Sequence, residues 1–187
     1  MPSSKPGYFR QYVSDKDVAA LHPSSRFLVR RLVDCLGGRP VRTIVELGPG
    51  PGVATRALLG VLSRDGRYLA IEKNPVFLEA LGAIDDPRLE RVGGDARALT
   101  AILDEKGVGT VDAVVASIPF SFLTEEERTG LVETVHSRLV EDGDFVIFHQ
   151  FSRLMVKRVR RSFPVVKVLF EPRNFFPCFL VHCRKRP

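Results

Sequence analysis

Residues 45–53 have the sequence Val45-Glu46-Leu47-Gly48-Pro49-Gly50-Pro51-Gly52-Val53, in which three glycines stand two residues apart behind a single acid. An apolar run precedes the acid and a helical pattern follows Val53, so the glycines form a turn between a strand and a helix. Glycine allows a ligand to approach the backbone because no Cβ stands in the way. A strand, a glycine turn and a helix in this order predict a loop that cradles a nucleoside cofactor.

Two details of this loop distinguish among nucleoside cofactors. The dinucleotide fingerprint places its third glycine three residues after the second, and a phosphate-binding P-loop ends in Gly-Lys-Ser/Thr. Here Gly52 follows Gly50 by two residues and is itself followed by Val53-Ala54. Glu46 would repel a pyrophosphate, but it suits the cationic amino group of a methionine moiety. The loop therefore predicts S-adenosylmethionine as the cofactor.

Three further strand patterns are followed by polar residues. The strands and their endings are 67–71 with Glu72, 89–92 with Asp95 and Ala96, and 111–115 with Ser117, Ile118 and Pro119. Because ligands of open α/β sheets bind at the carboxyl ends of the strands, we expect these residues to share one edge with the glycine loop. Glu72 lies twenty residues beyond Gly52, which is the spacing of a ribose-binding acid.

Helical and strand patterns alternate along the rest of the chain. Strand patterns occupy 143–148, 165–170 and 179–183, and helical patterns occupy 53–63, 75–83, 96–105, 124–139 and 152–161. The helix at 124–139 opens with a capping box, because Glu127 stands three residues after Thr124. This alternation predicts an α/β fold: a Rossmann-like, doubly wound, mostly parallel seven-stranded sheet with one antiparallel strand near the C-terminus.

On these motifs the chain resembles the class I S-adenosylmethionine-dependent methyltransferases, over about residues 41–150. It is most similar to the bacterial phospholipid N-methyltransferases that methylate phosphatidylethanolamine, and that resemblance extends over nearly the whole chain. The matching segments are Phe9-Arg10-Gln11-Tyr12-Val13, Pro23-Ser24-Ser25-Arg26, Val45-Glu46-Leu47-Gly48-Pro49-Gly50, Glu72-Lys73-Asn74-Pro75, Gly94-Asp95-Ala96 and Arg173-Asn174. Two motifs depart from the family pattern: Ala116-Ser117-Ile118-Pro119 replaces Ser-Gly-Leu-Pro, and Phe176-Pro177-Cys178 replaces a segment with two prolines and an alanine.

The resemblance implies an N-methyltransferase that acts on the phosphatidylethanolamine head group at a membrane surface. The cofactor-binding residues that it implies are Glu46, Gly48, Gly50, Gly52, Glu72, Lys73, Asp95, Ala96 and Ser117. Glu46 is expected to orient the methionine amino group, Glu72 to hold the ribose hydroxyls and Asp95, with the Ala96 amide, the adenine amino group. The segment Ser117-Ile118-Pro119 would present carbonyl or hydroxyl groups to the attacking amine, and His149 is the candidate base for its proton.

Charge is unevenly distributed along the chain, whose formal net charge is +6. Residues 1–42 carry eight Lys/Arg against three Asp/Glu, residues 43–150 carry ten against eighteen, and residues 151–187 carry ten against one. The expected cofactor core is therefore acidic and both ends are basic. Basic ends predict an anionic partner, either a phospholipid membrane surface or, as the less favoured choice, nucleic acid. Each Lys or Arg of the segment 153–161 would add about 1 kcal/mol to binding at an anionic membrane.

We expect a single methyltransferase domain over 1–187. Within it, 1–40 would be an N-terminal helical lid, substrate or membrane element, and 41–187 would be the cofactor-binding sheet. One helical face of the first part carries Tyr8, Phe9, Tyr12 and Val13. This aromatic face could dock on the core, lie in a lipid interface or close over the cofactor.

The remaining features predict a cytoplasmic monomer, peripheral at the inner face of the membrane. No apolar stretch approaches the length of a membrane-spanning helix, and the first residues lack the apolar core of a signal peptide. Cys35, Cys178 and Cys183 have no metal-ligand spacing, so we expect reduced thiols and no metal. Cys178 and Cys183 are five residues apart, so on one strand they would face opposite sides.

Two other acceptors stay open. An RNA adenine N6-methyltransferase has a similar glycine loop, and its fourth motif is Asn-Leu-Pro-Tyr or Asn-Ile-Pro-Tyr. Here Ser117 stands in place of the Asn and Phe120 in place of the Tyr, so Phe120 could stack on a base. A small-molecule N- or O-methyltransferase is the third candidate.

Overall fold

The structure is a computed structural model that describes residues 24–150 and 153–186. Its elements are, in chain order, α1 Arg26–Leu36, β1 Val41–Leu47, α2 Val53–Leu58, β2 Leu62–Glu72, α3 Pro75–Ala80, β3 Leu89–Gly93, α4 Leu99–Glu105, β4 Val111–Ala116, α5 Glu125–Arg138, β5 Leu139–Gln150, α6 Val156–Ser162, β6 Val165–Glu171 and β7 Cys178–Arg184. None of these described helices is long and apolar enough to cross a membrane. The aromatic face predicted at Tyr8, Phe9, Tyr12 and Val13 lies outside the described residues.

The seven strands form one sheet in the order β3-β2-β1-β4-β5-β7-β6. Strands β1 to β5 pair in parallel, and β7 runs antiparallel to both β5 and β6. This topology confirms the predicted sheet with one antiparallel strand near the C-terminus. Strand order reverses between β1 and β4, and this switch point is where open α/β sheets bind ligands. All strands except β7 end at the same edge of the sheet, which we call the carboxyl edge.

Apolar side chains pack on both faces of the sheet, because successive residues of a strand point to opposite sides. On one face Val45 and Leu47 join a core with α4, α5 and α6, and on the other face Ile44 joins a core with α1 and α2. The same alternation places Cys183 in the first core and Cys178 in the second, as predicted. Burial raises the pKa of both thiols, to about 12 for Cys178.

The helix predicted over 53–63 is shorter in the structure, because α2 ends at Leu58 and β2 already begins at Leu62. The Arg88 guanidinium donates hydrogen bonds to the carbonyl oxygens of Leu59, Leu62 and Ser63. These carbonyls would otherwise continue the helix, and a cation from a segment 25 to 29 residues away satisfies them instead. A local pattern contains no sign of such a distant partner.

The predicted capping box is present at the start of α5. Thr124 Oγ1 accepts from the Glu127 amide at 3.2 Å, and Glu127 Oε2 accepts from the Thr124 amide at 2.8 Å. The basic helix predicted at 152–161 begins later, at Val156, and not all of its cations face solvent. Arg158 is only 12% exposed, forms an ion pair with Glu125 and donates to the Leu154 carbonyl. Arg158 therefore joins α6 to α5. The prediction that this residue contributes to membrane binding is wrong.

Helix α1 is joined to the hairpin between β6 and β7. Ser25 caps the helix, and its amide donates to Asn174 Oδ1 at 2.8 Å. The Arg31 guanidinium pairs with the buried Glu171 carboxylate at 2.5 Å. Because the hairpin follows the end of β6, these contacts bring residues 24–26 to the carboxyl edge of the sheet.

Candidate functional site

A cavity of about 460 Å³ opens at the carboxyl edge, above the switch point between β1 and β4. Nine of the predicted site residues line it: Gly48, Gly50, Glu72, Lys73, Asp95, Ala96, Ser117, Ile118 and Pro119. Among the residues that sequence reasoning did not select, the cavity is also lined by Phe77, Arg97, Phe122, Leu123 and Glu127. The four strand endings thus meet in one place. Gly52, Glu46 and His149 are the predicted residues that do not line the cavity.

The glycine loop needs backbone conformations that favour glycine. Gly48 has φ +74°, and a Cβ at this position would lie 3.0 Å from both the Ser117 carbonyl oxygen and the Ile118 side chain. Gly52 has φ +82°, and its Cβ would meet Leu81 and Ile84 at less than 3 Å. Gly48 therefore permits the first and fourth motifs to approach each other. Gly52 instead permits α2 to pack against the segment after α3.

Glu46 is completely buried below the glycine loop. Its Oε2 accepts hydrogen bonds from Thr55 Oγ1 at 2.6 Å and from the Tyr68 hydroxyl at 2.7 Å. Its Oε1 is buried and has no hydrogen-bond partner among the described residues. Burial raises the pKa of Glu46 to about 7, and its two hydrogen bonds oppose that rise. An unsatisfied buried carboxylate oxygen fits a cationic amino group of a ligand, as in the methionine part of S-adenosylmethionine.

Glu72 ends β2 at the wall of the cavity and orders the loop opposite it. Its Oε2 accepts from the Gly50 amide at 3.0 Å, and its Oε1 accepts from the Asn74 amide at 2.8 Å. Burial raises the pKa of Glu72, and the backbone donors partly offset this rise. A carboxylate offers about four acceptor positions, and the backbone amides of Asn74, Gly50 and Lys73 occupy three of them, so one is left for a ligand hydroxyl such as those of the ribose that was expected here.

Asp95 belongs to a charged network at the rim of the cavity. Arg97 donates to both of its oxygens, at 3.0 and 2.7 Å, and Lys73 Nζ lies 3.6 Å from Oδ2. The Arg97 guanidinium also donates a hydrogen bond to Glu127 of α5, at 3.1 Å. These hydrogen bonds from Arg97 lower the pKa of Asp95 to about 2. Nothing in the sequence indicated a role for Arg97, apart from its position two residues after the predicted ligand Asp95.

The fourth motif forms a tight turn after β4. The Ser117 amide donates to the Leu47 carbonyl at 2.9 Å, which ties this motif to the end of β1. The carbonyls of Ile118 and Pro119 accept from the amides of Phe120 and Phe122, at 2.8 and 2.9 Å. Each of these two carbonyls therefore has one acceptor position left for a substrate amine.

Phe120 and Phe122 have opposite environments. Phe120 is 0% exposed and packs in the core, so in this conformation it cannot stack on a nucleic-acid base as predicted. Phe122 is 63% exposed and lines the cavity mouth. The two rings lie at the two ends of one 3₁₀ turn, Phe120–Phe122, and only the second of them lines the cavity.

His149 lies near the end of β5, on the face that carries Phe145 and Ile147. Its ring centroid is 6.2 Å from that of Phe120. The residue is thus at the carboxyl edge, as expected, but behind Phe120 and not on the cavity wall.

Known proteins with similar sequences are methyltransferases, although no protein-family model matches the chain. The ornithine lipid N-methyltransferase of Singulisphaera acidiphila is 31% identical over 169 residues, which cover 89% of this chain and 88% of the relative. The ribosomal RNA small subunit methyltransferase A of Xanthobacter autotrophicus is 39% identical over 100 residues, which cover 52% of this chain and 33% of that protein.

Solved structures support the same fold. The N-methyltransferase NodS from Bradyrhizobium japonicum WM9 superposes with a TM-score of 0.73 at 13% identity, covering 87% of this chain and 96% of that one. Fibrillarin from Aeropyrum pernix, solved with natively bound S-adenosyl-L-methionine, has a TM-score of 0.59 at 16% identity over 77% of this chain and 67% of its own.

Proposed function

Since this chain belongs to the class I S-adenosylmethionine-dependent methyltransferases, we propose that its acceptor is the primary amine of a membrane lipid head group. Phosphatidylethanolamine is the first candidate and ornithine lipid the second, because each offers an amine on a flexible polar head. The coarser assignment, an S-adenosylmethionine-dependent N-methyltransferase, is the same for either lipid.

The observation that carries this proposal is the extent of the similarity to a lipid N-methyltransferase. It covers 89% of the chain, whereas the similarity to the ribosomal RNA enzyme covers 52%. A match of about half the chain is what a shared cofactor fold produces between enzymes with different substrates. A match over nearly the whole chain also includes segments outside the cofactor loop, which favours a related acceptor.

The cavity itself suits a cationic amine that arrives from an apolar phase. Glu127 and Asp95 lie at its rim, where both are paired with Arg97, while Phe122 and Leu123 give the mouth an apolar side. The carbonyl oxygens of Ile118 and Pro119 can each accept one more hydrogen bond from an amine. A lipid head group, with a cation at its tip and hydrocarbon below, meets both requirements.

The protein acts mainly by orienting the two reactants. When bound, S-adenosylmethionine would supply an electrophilic methyl group to the amine nitrogen and leave as S-adenosylhomocysteine. In our proposal Glu46 Oε1 holds the methionine ammonium, Glu72 holds the ribose hydroxyls, and the carbonyls of the fourth motif direct the lone pair of the amine. Gly48 allows the cofactor loop and the amine-binding turn to lie in direct contact.

The amine must lose a proton, and we assign this proton to His149. Its ring lies behind Phe120, so transfer requires a water molecule or a movement of the turn after β4. The replacement His149→Gln is expected to lower kcat. An unchanged kcat would assign the proton to solvent instead.

The deciding experiment follows labelled methyl from S-adenosylmethionine into four acceptors in parallel. These are vesicles with phosphatidylethanolamine, vesicles with ornithine lipid, total RNA and an aqueous metabolite extract. Phosphatidylcholine vesicles are the control, because their quaternary nitrogen cannot accept a methyl group. We expect label in one of the aminolipids only. Label in RNA or in the extract, with silent aminolipids, would overturn the proposed acceptor and leave the cofactor site intact.

A further inference from the structure

Exposed aromatic and basic side chains lie along the carboxyl edge, from the cavity mouth to the hairpin between β6 and β7, and we propose that they dock this edge onto the anionic surface of a lipid bilayer. The rim surface, as we call it, consists of Arg26, Phe122, Arg153, Lys157, Arg173 and Phe175. The inference rests on the proposed lipid acceptor, because the cavity needs to face a membrane only if its substrate is a lipid. It adds the orientation of the protein and the residues that produce it.

The topology brings these residues to one edge. Phe122 follows β4, Arg153 follows β5, and Phe175 lies in the hairpin that follows β6. These three strands run in the same direction, so the segments after them lie side by side. Neighbouring strands are about 4.8 Å apart, which places the β6 end about 15 Å from the β4 end. A lipid in the cavity and a surface contact at the hairpin can therefore belong to one membrane plane.

Two large aromatic side chains at this edge are exposed to an unusual degree. Phe122 is 63% and Phe175 is 67% exposed, and they are the two most exposed large apolar residues that the structure describes. Phenyl rings on loop tips beside basic residues are favoured at the boundary between head groups and acyl chains. Isolated exposed apolar residues are common, but two on one edge, beside a ligand cavity, mark an interaction surface.

Basic side chains are exposed at the same edge. The guanidinium carbons of Arg26 and Arg173 lie 4.8 and 4.2 Å from the centre of the Phe27 ring, so both cations are held at the start of α1. Arg153 and Lys157 are exposed and stand four residues apart, at the end of α6 nearest the carboxyl edge. The one acid in residues 151–187, Glu171, is buried and paired with Arg31 and Arg173. The rim surface thus contains four cations and no acid, which complements anionic lipid, and the exposed acids nearest to it in the sequence are Glu125 and Glu126 at the start of α5.

A nucleic acid is also a polyanion, but two observations favour the bilayer. Phe120, the ring expected to stack on a base, is buried. The nearly complete similarity is to a lipid enzyme, and the similarity to the RNA enzyme covers half of the chain. We therefore assign the rim surface to a membrane, and RNA binding becomes an outcome of the test.

The first test compares two pairs of charge-neutral replacements in a vesicle sedimentation assay without cofactor. The pair Arg153→Gln and Lys157→Gln removes two charges from the rim surface. The control pair, Arg64→Gln and Arg186→Gln, removes two exposed charges at the opposite edge of the sheet. Two interfacial cations correspond to about a 30-fold change in partition. We expect that loss for the rim pair on vesicles with phosphatidylglycerol. For the control pair we expect less than about a threefold loss, because its charges would lie more than a Debye length from the docked membrane.

Equal losses for the two pairs would mean that net charge, and not the rim surface, attracts the protein, and the proposal would be overturned. It would also be overturned if the rim pair lost affinity for RNA while its vesicle partition stayed unchanged.

The second test reports orientation directly. The chain contains no tryptophan, so a single tryptophan placed by Phe175→Trp is an unambiguous probe. The control probe is Thr110→Trp, at an exposed position before β4 on the opposite edge. On anionic vesicles we expect a blue shift and quenching by brominated acyl chains for the probe at 175 only. Quenching at position 110 alone, or at neither position, would refute this docking geometry.

These measurements separate the docking surface from the acceptor. If the rim pair loses partition and the probe at 175 is quenched, docking stands even where no lipid accepts label. If aminolipid in detergent micelles accepts label while neither probe responds to vesicles, the acceptor stands and docking fails. The rim pair should keep the wild-type rate on micellar lipid, because neither residue lines the cavity.

Discussion

The Tyr68 hydroxyl donates a 2.7 Å hydrogen bond to Glu46 Oε2, and both side chains are completely buried. Tyr68 lies on β2 and Glu46 on the neighbouring β1, so this bond connects the two strands that frame the glycine loop. Thr55 of α2 donates to the same oxygen at 2.6 Å. Together they orient the carboxylate so that Oε2 is satisfied by the protein, whereas the buried Oε1 has no hydrogen-bond partner among the described residues.

Replacement of the tyrosine tests this orientation. Tyr68→Phe removes one of two donors to the ionised carboxylate, so the pKa of Glu46 should rise further and less of it should be charged at pH 7. We expect about a tenfold loss of S-adenosylmethionine affinity by calorimetry, which corresponds to a hydrogen bond of about 1.4 kcal/mol. The loss should shrink at pH 8.5, where the carboxylate ionises in the variant as well. Thr55→Ser, which keeps its hydroxyl, is the control, and a pH-independent loss would indicate a merely structural effect.

The ionisation of Glu46 also predicts how stability depends on pH. The pKa of Glu46 is raised by burial to about 7 from an ordinary 4.5, so the folded protein holds this proton more tightly than the unfolded chain does. The resulting stabilisation is complete below about pH 4.5 and is lost as pH rises through about 7, by about 3 kcal/mol. Glu72 adds to the rise, because its charge lies nearby.

Denaturant unfolding without cofactor, from about pH 5 to pH 8, measures this effect. Wild-type stability should fall across the range, and Glu46→Gln should remove most of that slope. Asp95 and Glu171 have pKa values lowered to about 2, so they act only at more acidic pH. Parallel curves for the two proteins would show that Glu46 is ionised throughout.

Glu72 is expected to be the residue whose loss most directly weakens cofactor binding. Glu72→Gln keeps one acceptor oxygen but cannot serve both the Gly50 and the Asn74 amides, so the loop and the ribose site should loosen together. We expect a 10- to 100-fold rise in the Kd for S-adenosylmethionine, on the order of a hydrogen bond to a charged group. Glu79→Gln, on the exposed side of α3, is the matched control and should bind like wild type. Equal affinities for all three proteins would disprove the ribose assignment.

Two glycine replacements should change stability in opposite directions. Gly48→Ala forces a Cβ into a left-handed backbone conformation and against the Ser117 carbonyl, so it should cost at least about 1–2 kcal/mol and reduce cofactor affinity. Gly130→Ala lies inside α5 with open space around the new methyl group, so it should stabilise the protein by about 0.5–1 kcal/mol. Thermal unfolding of both variants tests the pair. A Gly48→Ala variant as stable as wild type would show that the loop relaxes freely.

Much of the candidate site follows from local sequence. The predicted residues at or just after the ends of β2, β3 and β4 line the cavity, because the carboxyl ends of parallel strands are forced to one edge. Arg97, Phe122 and Glu127 were not predicted, since they reach the cavity only through the packing of α5 and the turn after β4. His149 and Gly52 were assigned to the correct edge, but whether a side chain lines a cavity depends on its neighbours.

The positions of the strands, the glycine loop and the capping box could be derived from periodicity and short spacings, because these depend on residues within one or two turns of each other. The ionisation of Glu46, the burial of Phe120 beside an exposed Phe122, and the pairing of Arg158 with Glu125 could not. Each depends on desolvation or on a partner from a distant segment, and neither exists until the chain has folded.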